Sequence, residues 1–142
     1  MRLGSALLSL PVWAALAVGT EAQEHCRLAL VLALDVSSSV DAEEYVLQRD
    51  GLASALDDPE IRTAILDGPG HVSIAIYEWS GRRQSAMVSH WTAIRSDDDI
   101  DALIQRLISA PRSQTRFPTA MGYALGFGAT LLANAINWAL AR

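Results

Sequence analysis

The feature that most constrains this chain is a run of seven apolar residues, Leu28 to Leu34, that stops abruptly at Asp35. The run is too short for a free-standing helix and suits a strand buried on both faces, as in a parallel sheet covered by helices. Such a strand needs neighbours and covering helices, and the following sequence supplies them in order. Asp41 and Glu44 have capping-box spacing, with a side-chain acceptor at each end of a first helical turn. Tyr45, Val46, Leu52, Ala53 and Leu56 then form an approximate helical stripe, which Asp57-Asp58-Pro59 breaks. Asp67-Gly68-Pro69-Gly70 is a turn, and Val72 to Tyr77 is a second strand rich in β-branched residues. Ser80-Gly81-Arg82-Arg83 has the length of a hairpin connection. Ser85 to Trp91 is therefore read as a third strand, antiparallel to the second, and its mixed Ser, Met and His character suits a sheet edge.

Ser96 followed by Asp97, Asp98 and Asp99 marks the start of another helix, where the helix dipole favours negative charge. Ile100, Leu103, Ile104, Leu107 and Ile108 continue it at helical spacing. The aspartate run lacks the alternate spacing of a calcium loop, so it is read as a cap. Pro111 to Pro118 is a loop. Met121, Ala124, Leu125, Gly128, Leu131, Leu132 and Ile136 then give helical spacing from Thr119 onward, with small residues that let the helix lie close to a sheet. The predicted order is strand, helix, strand, strand, helix, helix.

Apolar residues are 51% of the chain and charged residues 19%, which excludes an intrinsically disordered protein. The net charge is −5, with no lysine among the bases, so no affinity for nucleic acid is expected. Residues 1–22 have the form of a secretory signal. Arg2 precedes an apolar stretch from Ala6 to Val18, and Thr20-Glu21-Ala22 offers a cleavage site. That stretch is short for a membrane span and is interrupted by Pro11. The expected protein is therefore exported, periplasmic or secreted, with no membrane span after cleavage. Cys26 is the single cysteine, and in an oxidising compartment it is either a free thiol or one separated from its partner.

The motif with chemical content is Asp35-x-Ser37-x-Ser39, placed directly after the apolar strand. Loops at the carboxyl ends of parallel strands face the crevice where open α/β sheets bind ligands. Alternate residues of an extended loop point the same way, so an aspartate and two hydroxyls offer three hard oxygens on one side. Hard oxygens suit magnesium, which keeps several waters and takes one or two carboxylates.

At these residues the chain resembles the von Willebrand factor type A domain, whose metal-ion-dependent adhesion site uses D-x-S-x-S after the first strand. Thr119, within Phe117-Pro118-Thr119-Ala120-Met121-Gly122-Tyr123-Ala124-Leu125, matches the threonine which that family adds from a later loop. The resemblance covers about Cys26 to Leu132. With its LALDVSSSVD start and its YEWSG strand end, the chain most resembles an uncharacterised family of exported bacterial proteins built on this domain.

The resemblance implies a Rossmann-like, doubly wound α/β fold with sheet order 3-2-1-4-5-6 and an antiparallel third strand. It implies Ser37 and Ser39 as direct metal ligands, with Asp35 and Thr119 direct or through water. The ion would be Mg2+, with Mn2+ or Ca2+ as alternatives, and a carboxylate from a protein partner would complete the octahedron. The family's fourth strand and its aspartate have no counterpart here. The fold is thus expected to be incomplete, strands 3-2-1 only, in a C-terminally truncated product. Residues 23–132 would be the N-terminal part of the domain and 133–142 an atypical tail. The expected function is a metal-ion-dependent protein-binding module, impaired by truncation, and not an enzyme.

The alternatives are a non-functional fragment and a secreted hydrolase. A hydrolase would need a histidine near a nucleophilic serine, whereas His25, His71 and His90 are scattered. No G-x-S-x-G elbow is present.

Overall fold

The computed structural model describes residues 25–140, and the expected signal segment, residues 1–22, lies outside the described residues. Three strands, β1 (Cys26–Asp35), β2 (His71–Trp79) and β3 (Ser85–Ile94), form one sheet in the order β1-β2-β3. β1 and β2 are parallel, and β2 and β3 are antiparallel. The helices are α1 (Ala42–Asp57), α2 (Pro59–Leu66), α3 (Asp97–Ser109) and α4 (Met121–Leu140). The fold is α/β, with a three-stranded sheet of mixed direction among the described residues whose order and strand directions are those that the resemblance implies for strands 3-2-1.

Strand periodicity sorts the side chains onto two faces. Leu34, Val72, Ile74 and Ile76 point toward α1 and α3, where Ala53, Leu56, Ile100, Leu103 and Leu107 complete the main core. Tyr77 and Trp79 point the other way and pack with Ala124, Phe127 and Leu131 of α4. α4 approaches closely because Gly128 sits beneath Tyr77: a Cβ there would lie 3.1 Å from the phenol oxygen. That oxygen donates to the Ala124 carbonyl at 2.7 Å. Ala124 and Gly128 therefore face the sheet, while Gly122 and Gly126, and Met121 and Leu125 of the same apolar pattern, are exposed.

Three expectations need correction. All nine residues of β2 are buried, whereas β1 is mostly half-buried and exposes Leu28. β1 has β2 on one side and no strand on the other among the described residues, so its apolar run lies along an open edge, as expected of strands 3-2-1 alone. Val46 lies outside the buried stripe of α1, at 43% exposure. The third correction is α2, a helix where the sequence suggests only a break and a turn. Pro59 does end α1, but it also occupies the first turn of a new helix, whose N-cap Asp58 accepts from Glu60 and Ile61 amides. Proline is pre-organised for that position, where its missing N–H has no intrahelical role.

The capping expectations match the backbone. Asp41 and Glu44 close a capping box on α1, and Ser96 and Asp99 close one on α3. Asp97 instead pairs with Arg62 of α2, which also bonds Asp57 and Asp101 and so ties the ends of three helices together. α4 runs without a break through residue 133. No helix among the described residues is long and apolar enough to cross a membrane.

Asp99 gives the fold a defined acid response. The Arg95 amide, foremost, and the Ser96 hydroxyl and amide hold its carboxyl below its ordinary value of 3.8. A depressed folded value means that its contribution is complete above 3.8 and is lost as pH falls through the folded value. The difference in melting temperature between the native chain and Asp99→Asn is therefore expected to shrink between about pH 5 and about pH 2. Thermal melts across that range check it.

Candidate metal centre

The site is built at the carboxyl ends of β1 and β2. Asp35 pairs in register with Trp79, and the Val36 amide extends the parallel ladder by one bond to the Trp79 carbonyl at 2.8 Å. Beyond it the chain turns. The Asp35 Oδ1 accepts the Ser37 amide at 2.8 Å, an Asx-type closure that folds the loop back over its own strand. Ser37 is fully buried by this turn, while Ser39 stays exposed. Val40 donates to the Ser37 carbonyl and Asp41 then caps α1. The loop is thus held between the end of a strand and the start of a helix.

The second loop arrives from α3. The Ser38 amide donates to the Phe117 carbonyl at 2.8 Å, and the Ala120 amide donates to the Ser80 carbonyl at 3.0 Å. These two bonds hang the segment carrying Thr119 between the ends of β1 and β2. Gly81 makes room for it, since a Cβ there would lie 2.9 Å from the Cβ of Phe117.

The result is a triangle of hydroxyls. Ser37 Oγ lies 3.0 Å from Ser39 Oγ and 2.9 Å from Thr119 Oγ1, and the Ser39 and Thr119 oxygens are 3.1 Å apart. Ser37 is the buried corner, and the other two open to solvent. The three hydroxyls singled out in the sequence therefore meet, across 80 or more residues of chain in the case of Thr119. Asp35 lies at the base of the loop, with one carboxylate oxygen engaged by the Ser37 amide.

This donor set has definite chemistry. Around an ion with oxygens at about 2.0–2.1 Å in octahedral geometry, neighbouring oxygens lie about 2.9 Å apart, √2 times that distance. An octahedral calcium site, with oxygens at about 2.3–2.6 Å, would spread them to about 3.3–3.7 Å. The edges of the triangle are those of mutual hydroxyl hydrogen bonds, and they lie nearer to one octahedral face around the smaller ion than around the larger. Among the described residues no three or more His, Cys, Asp or Glu side chains converge as a metal cluster. A cation here would rest on hydroxyls and a single carboxylate, a hard-oxygen set suited to magnesium.

Two residues outside the D-x-S-x-S motif and Thr119 hold the site together. Arg112, in the loop after α3, lays its guanidinium under the Asp35–Asp41 segment. It donates to the carbonyls of Val36, Ser37, Val40 and Asp41 at 2.7–3.2 Å. Glu78 of β2 is buried, with 1% exposure, and accepts from the Tyr45 hydroxyl at 2.8 Å and the Ser113 amide at 2.7 Å. Burial, together with that bond to Glu78, pushes the Tyr45 phenol up to about 12. An Arg after a proline in a loop carries no local signal of such a role. A charged residue inside the otherwise uncharged stretch from Val72 to Trp79 is a signal, since charge is buried only when paired.

The histidines stand apart. The His71 amide donates to the His25 carbonyl, and His71 pairs with Cys26 at the amino ends of β1 and β2, opposite the hydroxyl triangle. His90 lies within β3. Cys26 is free, and its thiol donates to the Leu28 carbonyl at 3.3 Å.

A family model described as "Protein of unknown function (DUF1194)" matches residues 25–142. No curated protein matches the chain.

Proposed function

The chain belongs to the DUF1194 family, whose function is unknown, and we propose that it is a metal-ion-dependent protein-binding module of the von Willebrand factor type A kind. The observation that carries this reading is the triangle of Ser37, Ser39 and Thr119 oxygens with edges of 2.9–3.1 Å beside the Asp35 carboxylate. Ser37 and Ser39 would bind the ion directly, and Asp35 would supply the negative charge, with Thr119 direct or through water. When bound, the ion supplies a positive, incompletely saturated centre at the protein surface. The exposed side of the triangle leaves that centre open to a carboxylate from a protein partner. Mg2+ fits the triangle best, Mn2+ is a close substitute, and Ca2+ is the poorer fit. The protein would act outside the cytoplasm after loss of residues 1–22.

Binding is favoured over hydrolysis by position. A serine nucleophile would need a base within hydrogen-bond reach, and both hydroxyl neighbours of Ser37 are themselves weakly basic hydroxyls. His25 and His71 lie at the far end of the sheet.

The test is calorimetric titration of the purified chain with MgCl2 and, separately, CaCl2. Saturable Mg2+ binding is expected, with weaker Ca2+ binding. Thr119→Ala, which removes one exposed hydroxyl, should weaken Mg2+ by about tenfold, within the range for a contributor to metal orientation. No saturable heat with Mg2+ or Mn2+ would overturn the reading.

A further inference from the structure

The hydroxyl triangle is formed by two loops, and most of the hydrogen bonds between them come from one side chain, Arg112. The four carbonyls of Val36, Ser37, Val40 and Asp41 converge on the Arg112 guanidinium, and the Gln114 carbonyl accepts from its Nε at 2.9 Å. Five carbonyl oxygens pointing at one place would repel each other without a cation among them. Their orientation has a consequence on the opposite side of each peptide. With the Val36 carbonyl turned to Arg112, the Ser37 amide turns toward Asp35 Oδ1. With the Ser37 carbonyl turned inward, the Ser38 amide turns out to the Phe117 carbonyl.

The same residue anchors the second loop. Its neighbour Ser113 is held by one oxygen of the buried Glu78 carboxylate, whose other oxygen holds Tyr45 of α1. The Arg112 guanidinium also lies over the Tyr45 ring, 5.1 Å from its centroid. Glu78, Tyr45 and Arg112 therefore form a joint. The Arg112 side chain grips the serine loop, and its backbone begins the segment leading to Thr119.

We propose that Arg112 is the positioning residue of the hydroxyl triangle and that, resting on the metal-binding reading above, it sets the preference for a small cation over a larger one. Lysine cannot replace it. An ammonium has three donors on one atom, whereas the guanidinium spreads its donors over three nitrogens in a rigid fork: Nε faces the Gln114 carbonyl, one terminal nitrogen that of Asp41, and the other shares its hydrogens among those of Val36, Ser37 and Val40. With lysine the peptides at Val36 and Ser37 lose their enforced orientation, and the triangle is free to widen.

The experiment compares the full chain with Arg112→Lys and Arg112→Gln in two measurements. The first is amide hydrogen exchange without metal. Ser37, Ser38 and Ser113 should exchange about tenfold or more faster in the variants, the effect of losing charge-assisted bonds beneath them. Ile74 and Ile76 in the core should be unchanged, which reports that the fold is intact. The second is the ratio of Mg2+ to Ca2+ affinity. Mg2+ binding should fall about 10- to 100-fold, the usual range for a residue that orients metal ligands, with a smaller loss for Ca2+. A merely structural role would lower both affinities by the same factor. Unaltered exchange in both loops, or an equal loss for both ions, overturns the proposal. If the native chain binds neither ion while the variants still exchange faster, the metal-binding reading fails and the positioning role stands.

Discussion

Asp35→Asn is expected to lower Mg2+ affinity by at least about 100-fold while leaving the loop in place, because charge count moves oxygen-ligated cation sites across decades of affinity. The substitution separates two roles of one side chain. Asn retains a carbonyl oxygen that can accept the Ser37 amide, so the turn that buries Ser37 is preserved. What it removes is the carboxylate charge beside three neutral hydroxyls. Thermal melts without metal should therefore differ by only a few degrees between native and variant chains. The stabilisation that the native chain gains from millimolar Mg2+ should vanish in the variant. An unchanged Mg2+ affinity would mean that the carboxylate serves the turn alone.

Leu103→Ala is expected to cost about 3–4 kcal/mol of folding stability, a large share of the roughly 5–15 kcal/mol typical of a domain. Leu103 is fully buried at the centre of α3, in the cluster that contains Ile74, Ile94 and Leu107. Its neighbours on the sheet and on α1 are themselves buried and packed against one another, so only partial collapse into the gap is expected. The cavity therefore persists and adds to the lost transfer energy. The corresponding fall in melting temperature is about 10–15 °C. Leu125→Ala on α4 is the control, since its side chain is 67% exposed. A change within about 0.5 kcal/mol is expected there. Equal losses in the two variants would place the core elsewhere.

How much of this was legible in the sequence follows the range of the interactions. Both capping boxes are local, closing over three residues: Asp41-x-x-Glu44 shows the spacing directly, whereas Ser96 and the acids after it mark only a helix start favoured by the dipole. The hairpin at Ser80–Arg83 and the direction of β3 follow from the brevity of the connection. Thr119 was reached through a resemblance, since no spacing rule links it to residues 80 or more positions away.

What was missed depends on neighbours distant in the chain. The apolar content of Leu28–Leu34 suits a central strand; the open edge follows only from the lack of a counterpart to the fourth strand, and it leaves β2 and not β1 with every residue buried. The contacts of Arg112 with the serine loop span 71 to 76 residues, and no local pattern encodes them. α2 is different: Asp58 as cap and Pro59 in the first turn were a readable start signal, obscured by treating Pro59 only as a stop.

The most direct test of the metal centre is anomalous diffraction from crystals of the full chain grown with MnCl2. A single anomalous peak is expected about 2 Å from the oxygens of Ser37 and Ser39, on the solvent side of the triangle. The absence of any peak there at saturating Mn2+, or a peak held by other residues, would contradict the proposed site.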